Sequence, residues 1–152
     1  MSTINSTEKT SLSDFLSNES EGLLEWNTLK RQISTFSSTP MGKKEVLDTE
    51  IPKNFEVTKR LLKETIEINN LERENDNKLD FKGIFDIKKN IKICSKGGIL
   101  NAIDLLQIAE TIASSIRLKK IIINDDIRPV LSSIVKKIVD HNQLEKNLKS
   151  GI

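Results

Sequence analysis

The stretch Asn101-Ala-Ile-Asp-Leu-Leu-Gln-Ile-Ala-Glu-Thr-Ile-Ala-Ser-Ser-Ile-Arg-Leu-Lys-Lys-Ile-Ile-Ile123 decides the fold. It opens on Asn101, a residue that caps helices, with Asp104 three residues on in a partial capping box. Ile103, Leu105, Leu106, Ile108, Ala109, Ile112, Ala113 and Ile116 then recur with helical spacing, and Ile123 extends the pattern. Apolar residues occupy so much of the circumference that this helix is predicted to be the longest and the central one. The β-branched run Ile121-Ile122-Ile123 follows that pattern and reads as the helix end rather than as a strand. Ile112, in the middle, is expected to be core, so that Ile112→Asp unfolds the domain.

The periodicity stays helical on either side. Downstream, Asp125-Asp126 is expected to open a helix with Pro129 in its first turn and Val130, Leu131, Ile134, Val135 and Ile138 inside. A short helix after Asn142 carries Leu144 and Leu148. Upstream, Asp86 is expected to cap a helix bearing Ile87, Ile91 and Cys94, which Gly97-Gly98 terminates. Asn54 starts a helix reaching Asn70 or Arg73, with Phe55, Thr58, Leu61, Leu62, Thr65, Ile68 and Leu71 on its apolar face, and Glu72 to Asp80 reads as a loop. Thr39-Pro40 is a cap followed by proline at the first helical position; its helix carries Met41, Val46 and Leu47 and stops by Ile51-Pro52. The first clear helix runs from about Asn27 to Ser37, capped by Asn27 with Trp26 outside it and Leu29, Ile33 and Phe36 as a buried stripe. Alternation of period two is scarce and there is no Asn-Gly or Asp-Gly hairpin signal, so the fold class is all-α. Residues 1–20, rich in Ser, Thr, Asn and Glu, are expected to form a flexible polar tail ahead of a helical region at 21–152.

Composition narrows the function classes. Apolar residues make up 36% and charged residues 30% of the 152, a polar but foldable mixture. Net charge is +2, with acids lying mostly before Asp86 and lysines thickening after it. A single Cys94 and a single His141 exclude an internal disulfide and a zinc site of the usual ligand count. There is no apolar run of about 20 residues and no signal core, and a cytoplasmic location is expected.

The motifs that suggest chemistry are weak. Gly42-Lys43 imitates a phosphate loop, but Ser37 stands where the first glycine belongs and Lys44 where Ser or Thr would bind magnesium. A glycine packed within a helix is the simpler reading. Lys96-Gly97-Gly98 reads as a helix end rather than a phosphate nest. His141 beside Asp140 has no recognisable nucleophile and reads as a surface or capping residue, and Cys94 as a small buried hydrophobe. Lys88, Lys89, Lys92 and Lys96 on one helix, with Arg117, Lys119 and Lys120 further on, are the candidates for contact with nucleic-acid phosphates. A solvated face is the default for such charges, because aromatics for base stacking are few.

The order of the segments resembles a known family. Leu24-Glu25-Trp26, then Leu29 and Ile33, then Ser38-Thr39-Pro40-Met41-Gly42-Lys43 resembles the opening of the type-two MutS proteins, and Arg60-Leu61-Leu62-Lys63-Glu64-Thr65 resembles their next helix. Ile84-Phe85-Asp86-Ile87, Lys96-Gly97-Gly98-Ile99-Leu100, Leu105-Leu106-Gln107-Ile108-Ala109 and Ser115-Ile116-Arg117-Leu118-Lys119 continue the likeness. The resemblance covers about Leu23 to Gly151. It implies a helical core and lever region joining an ATPase domain to a clamp that closes on nucleic acid. The implied parent is a homodimeric, DNA-binding ATPase that binds ATP and magnesium. Many members carry a Smr-type nuclease, and the family is tied to recombination control, DNA repair and, in some members, stalled ribosomes.

No Walker A, Walker B or Smr pattern falls within these residues. The expectation is therefore a non-catalytic chain without cofactor of its own, whose partners are the clamp and ATPase regions of the same family. It reads as an expression fragment, a truncated gene product or a relic. Ile138, Leu144, Leu148 and Ile152 keep a helical spacing, from which self-association through the C-terminal helices is expected. A stand-alone module that binds nucleic acid or partner helices is the alternative.

Overall fold

The computed structural model describes Glu19, Gly22 and residues 24–52, 54–74 and 79–151. The predicted tail apart from Glu19, part of the predicted loop and Ile152 lie outside the described residues. Among the described residues there are seven helices and no strand. They are α1 (Trp26–Ser34), α2 (Pro40–Asp48), α3 (Phe55–Glu74), α4 (Lys88–Cys94), α5 (Ala102–Ile122), α6 (Pro129–Val135) and α7 (Asn142–Ser150). The chain divides into two compact units, Met1–Ile51 and Pro52–Ile152.

In the first unit α1 packs on α2. Thr39 is extended, its Oγ1 accepts the Gly42 amide at 3.0 Å, and Pro40 takes the first helical position, as the sequence predicts. A Cβ on Gly42 would come within 3.1 Å of that same Oγ1. The capping oxygen, not a neighbouring helix, occupies the space beside the glycine. The start of α1 differs from expectation. Its N-cap is Glu25, in the left-handed region at φ 48°, and Trp26 lies inside the helix, where Asn27 was expected to cap. The Trp26 ring N–H donates to the Thr49 carbonyl at 3.2 Å and ties the beginning of α1 to the end of α2.

The predicted stripe Leu29–Ile33–Phe36 is not buried, and Phe36 is 86% exposed. Ser34 is the buried position instead, with its Oγ donating to the Arg31 carbonyl. The spacing is helical, but the contact between two nine-residue helices leaves the stripe uncovered.

In the second unit α6 lies between α3 and α5, and α7 packs along α5. Leu71 of α3, Leu118 and Ile122 of α5 and Val135 of α6 form the core, flanked by Ile68, Leu79, Ile84, Leu131 and Ile138. Asn54 Oδ1 accepts the Glu56 amide at the start of α3, and Asn101 Oδ1 accepts the Asp104 amide at the start of α5. Gly97, at φ 75°, and the Gly98 amide, bonded to the Ile93 carbonyl at 3.0 Å, close off α4 as a helix end should.

Three expectations shift here. Asp86 lies before α4 and its carboxylate reaches the Lys88 amide, while the N-cap is Ile87. Cys94 is exposed rather than buried, because α4 turns its Asn90 edge inward. Asp125 and Asp126 sit in the turn before α6, which begins at Pro129. The α6 cap comes from a distant residue: the Glu67 carboxylate on α3 accepts the Val130 and Leu131 amides at 3.2 and 2.8 Å.

On α5 the buried residues are Ala109, Ser114, Ile116, Leu118 and Ile122, whereas Ile103 and Leu106 are exposed, as is Ile123 at the C-cap, and Ile112 is half-buried. The core cluster engages the second half of the helix, so the apolar positions of its first turns stay open.

Candidate functional site

The seven predicted phosphate contacts fall into two groups. Lys88, Lys89 and Lys92 on α4 and Lys96 just beyond it are exposed, and none forms an ion pair among the described residues. Lys120 is likewise exposed. Arg117 and Lys119 are committed to the fold. Arg117 Nη2 donates to the Asp80 carbonyl at 2.8 Å and the Lys82 carbonyl at 3.2 Å, with Nη1 3.7 Å from the Asp80 carboxylate. Lys119 Nζ donates to the Ile138 carbonyl at 2.8 Å and the Asp140 carboxylate at 3.0 Å.

Arg117 belongs to a polar strip that the sequence reading did not find. Thr111 Oγ1 accepts the Phe85 amide at 3.1 Å, and Ser114 Oγ donates to the Lys82 carbonyl at 2.9 Å. Two turns before the N-terminal end of the strip, Asn90 Nδ2 on α4 donates to Asp104 Oδ1 at 3.0 Å. Thr111, Ser114 and Arg117 recur at three-residue spacing on one side of α5, so they fasten the non-helical segment 79–87 along it. At the far end of α5, Arg128 is 7% exposed, donates from Nε to the Ile122 carbonyl and pairs with Glu74 at 3.1 Å. The backbone of a helix C-terminus and a carboxylate of α3 thus share one guanidinium. The visible signal in the sequence was Thr111, Ser114 and Ser115 interrupting an apolar helix. The partners of Thr111 and Ser114, 26 and 32 residues away, and that of Arg117, 37 away, were not visible.

A cleft of about 280 Å³ lies between α5 and the α6–α7 link, lined by Ile87, Thr111, Ile112, Ser115, Ile138, Val139 and His141. It is slightly smaller than the usual ligand cavity of about 300–1,000 Å³. Its hydroxyls serve the helix: Ser115 Oγ donates to the Thr111 carbonyl and Thr111 Oγ1 to the Gln107 carbonyl. Neither proton is directed to His141, which stands exposed at the N-cap position of α7 and makes no side-chain capping bond. Among the described residues no group of three or more His, Cys, Asp or Glu is placed to hold a metal ion. Among them, too, no helix is long and apolar enough to cross a membrane.

These features define an all-helical chain in which the polar contacts described join its own elements. The chain is similar to the Endonuclease MutS2 of Synechocystis sp., 30% identical over 131 residues that cover 86% of this chain and 16% of that protein. It is 32% identical over 135 residues to the Endonuclease MutS2 of Halalkalibacterium halodurans, covering 86% of this chain and 17% of that protein. The same protein of Shouchella clausii is 30% identical over 135 residues, with the same coverage of 86% and 17%. The chain spans about one sixth of the length of these curated relatives. The similarity supports a MutS2-like segment, in keeping with the resemblance read from the residues. No protein-family model matches the chain, and no solved structure matches it significantly.

Proposed function

We propose that the chain is a non-catalytic packing segment of a MutS2-like protein, corresponding to its helical core and lever region. In the parent it stands between an ATPase region, which holds ATP and magnesium, and a clamp on nucleic acid. The process served is suppression of recombination, with action on stalled ribosomes as a further role. One observation carries the reading: the similarity runs through 86% of the chain while meeting only 16–17% of each relative. The packing is consistent with a lever. A helix of 21 residues is about 31 Å long, and α5 is held by α4 near its start and by Arg128 at its end. Coupling through such an element needs two arrangements of it.

The test uses a MutS2 protein from which the matching segment has been removed. Added in trans, the chain should bind it, and a pull-down reads the association. Failure to bind removes the scaffold reading.

The second reading is a nucleic-acid contact, favoured by the exposed Lys88, Lys89 and Lys92 of α4 and Lys96 just beyond it, which form no ion pair among the described residues. Four phosphate contacts would give a log–log salt slope of about −3.6 with duplex DNA. A shift of duplex DNA with that slope, lost in Lys88→Glu/Lys92→Glu, would establish it. The scaffold reading expects no shift at physiological salt.

A further inference from the structure

The cleft beside α5 has an aliphatic lining with a small polar remainder. Ile87, Ile112, Ile138 and Val139 supply the aliphatic part. Val139 is 66% exposed, and Ile91, one helical turn beyond Ile87, is 55% exposed, so aliphatic surface continues outward from the cleft. No lining residue carries a fixed charge, and the Lys119 ammonium is engaged by the Ile138 carbonyl and the Asp140 carboxylate.

The hydrogen bonds define what is left over. Ser115 Oγ gives its only proton to the Thr111 carbonyl at 2.7 Å, so towards an occupant it can act only as an acceptor. It accepts from no other group among the described residues. Thr111 Oγ1 already donates to the Gln107 carbonyl and accepts the Phe85 amide. The His141 ring has no hydrogen-bond partner among the described residues, but it is exposed and water can serve it. The half-buried Ser115 oxygen is thus the contact that an occupant would complete.

An occupant that matches has an apolar body and one N–H or O–H. An aliphatic cavity of about 150 Å³ holds benzene; the cleft, at about 280 Å³, has room for a bicyclic ring. A carboxylate or an amine would be desolvated there without a counter-ion. A protein side chain matches less well, because its flanking peptide groups would lie over aliphatic rim residues that offer them no partner.

We infer that the cleft is a binding site for a small, uncharged aromatic compound whose ring N–H or O–H donates to Ser115 Oγ. The cleft is open and supplies one directional contact, so the dissociation constant is on the order of 1 mM. The site depends neither on the packing role nor on the lysines of α4.

Titration of the whole isotope-labelled chain, followed by amide NMR, tests it with indole as the probe. Shifts should saturate and centre on Thr111, Ile112, Ser115 and Val139. Indene keeps the bicyclic shape without the N–H and should bind about fivefold more weakly. Ser115→Ala should bring indole down to the affinity of indene and leave indene unchanged. Alanine favours the helix, and unchanged resonances away from the cleft verify the fold of that variant. N-acetyltryptophanamide should bind no more tightly than indole. Absence of saturable shifts with indole overturns the proposal. Equal affinities for indole and indene, or a Ser115→Ala variant that still tells them apart, overturn it as well. Tighter binding of N-acetyltryptophanamide would assign the cleft to a partner protein's side chain and overturn it equally.

Discussion

Two residues show how single positions hold the second unit together. Gly83 adopts φ 81°, and a Cβ there would lie 2.6 Å from Ser114 Oγ, the hydroxyl that holds the Lys82 carbonyl. Gly83→Ala should therefore suffer twice, from a left-handed backbone costing about 1–2 kcal/mol and from the clash. Ser114→Ala removes the clash together with the bond to the Lys82 carbonyl, so the double variant should melt below the single Ser114→Ala variant by the backbone cost alone; a Gly83→Ala chain that melts like wild type would mean the segment 79–87 is not fastened to α5. Glu67 is the second. Glu67→Ala leaves the Val130 and Leu131 amides without their carboxylate. Loss of a helix cap costs about 1–2 kcal/mol, or roughly 4–16 °C of melting temperature for a unit of this size. Glu67→Gln, whose amide oxygen can still accept from one amide, should fall between; equal melting of all three would show that water caps α6 as well as Glu67 does.

Among the helices, burial decides which substitution the fold can bear. Leu118 is 6% exposed and lies in the cluster with Leu71 and Val135, so Leu118→Asp should unfold the second unit, the uncompensated carboxylate costing several kcal/mol against a stability of about 5–15 kcal/mol. Ile112, first expected to be equally intolerant, is half-buried and lines the open cleft, where a carboxylate can reach water. Ile112→Asp should then cost clearly less, and thermal melts of the two variants measure the difference; identical loss would mean the cleft is closed in solution. The same contrast explains what was readable in the chain. Caps are local chemistry, so Thr39, Asn54 and Asn101 announced their helices, and the glycines announced the end of α4. Periodicity located the long central helix but could not say which half a neighbour would cover, hence the misplacing of Ile103 and Leu106. A stripe such as Leu29–Ile33–Phe36 records an amphipathic helix without guaranteeing an occupant. The candidate cations were legible as charges, but the duties of Arg117 and Lys119 depend on carbonyls brought near by the fold.

Across the molecule, stability should be distributed unevenly, and this bears on the proposed role. In the first unit the one buried residue among those described is Ser34, and α1 and α2 are nine residues each. Isolated helices of that length are marginal in water, so their order rests on the contact between them, the Thr39 cap and the Trp26–Thr49 bond. The second unit has an apolar cluster drawn from three helices and a polar fastening at each end of α5. Amide exchange follows such differences, because helices with few buried contacts open at low free energy while a packed core opens only with the unit. Hydrogen exchange should therefore find the slowest amides between Ala109 and Ile122 of α5 and in the adjoining turns of α3 and α6. Those of α1 and α2 should exchange orders of magnitude faster. An element that transmits motion has to be stiffer than what surrounds it, so the expected ranking is also a condition on the lever reading. If α5 exchanged as fast as α1, it could not carry a displacement along its length, and the chain would be better regarded as a covering layer than as a lever.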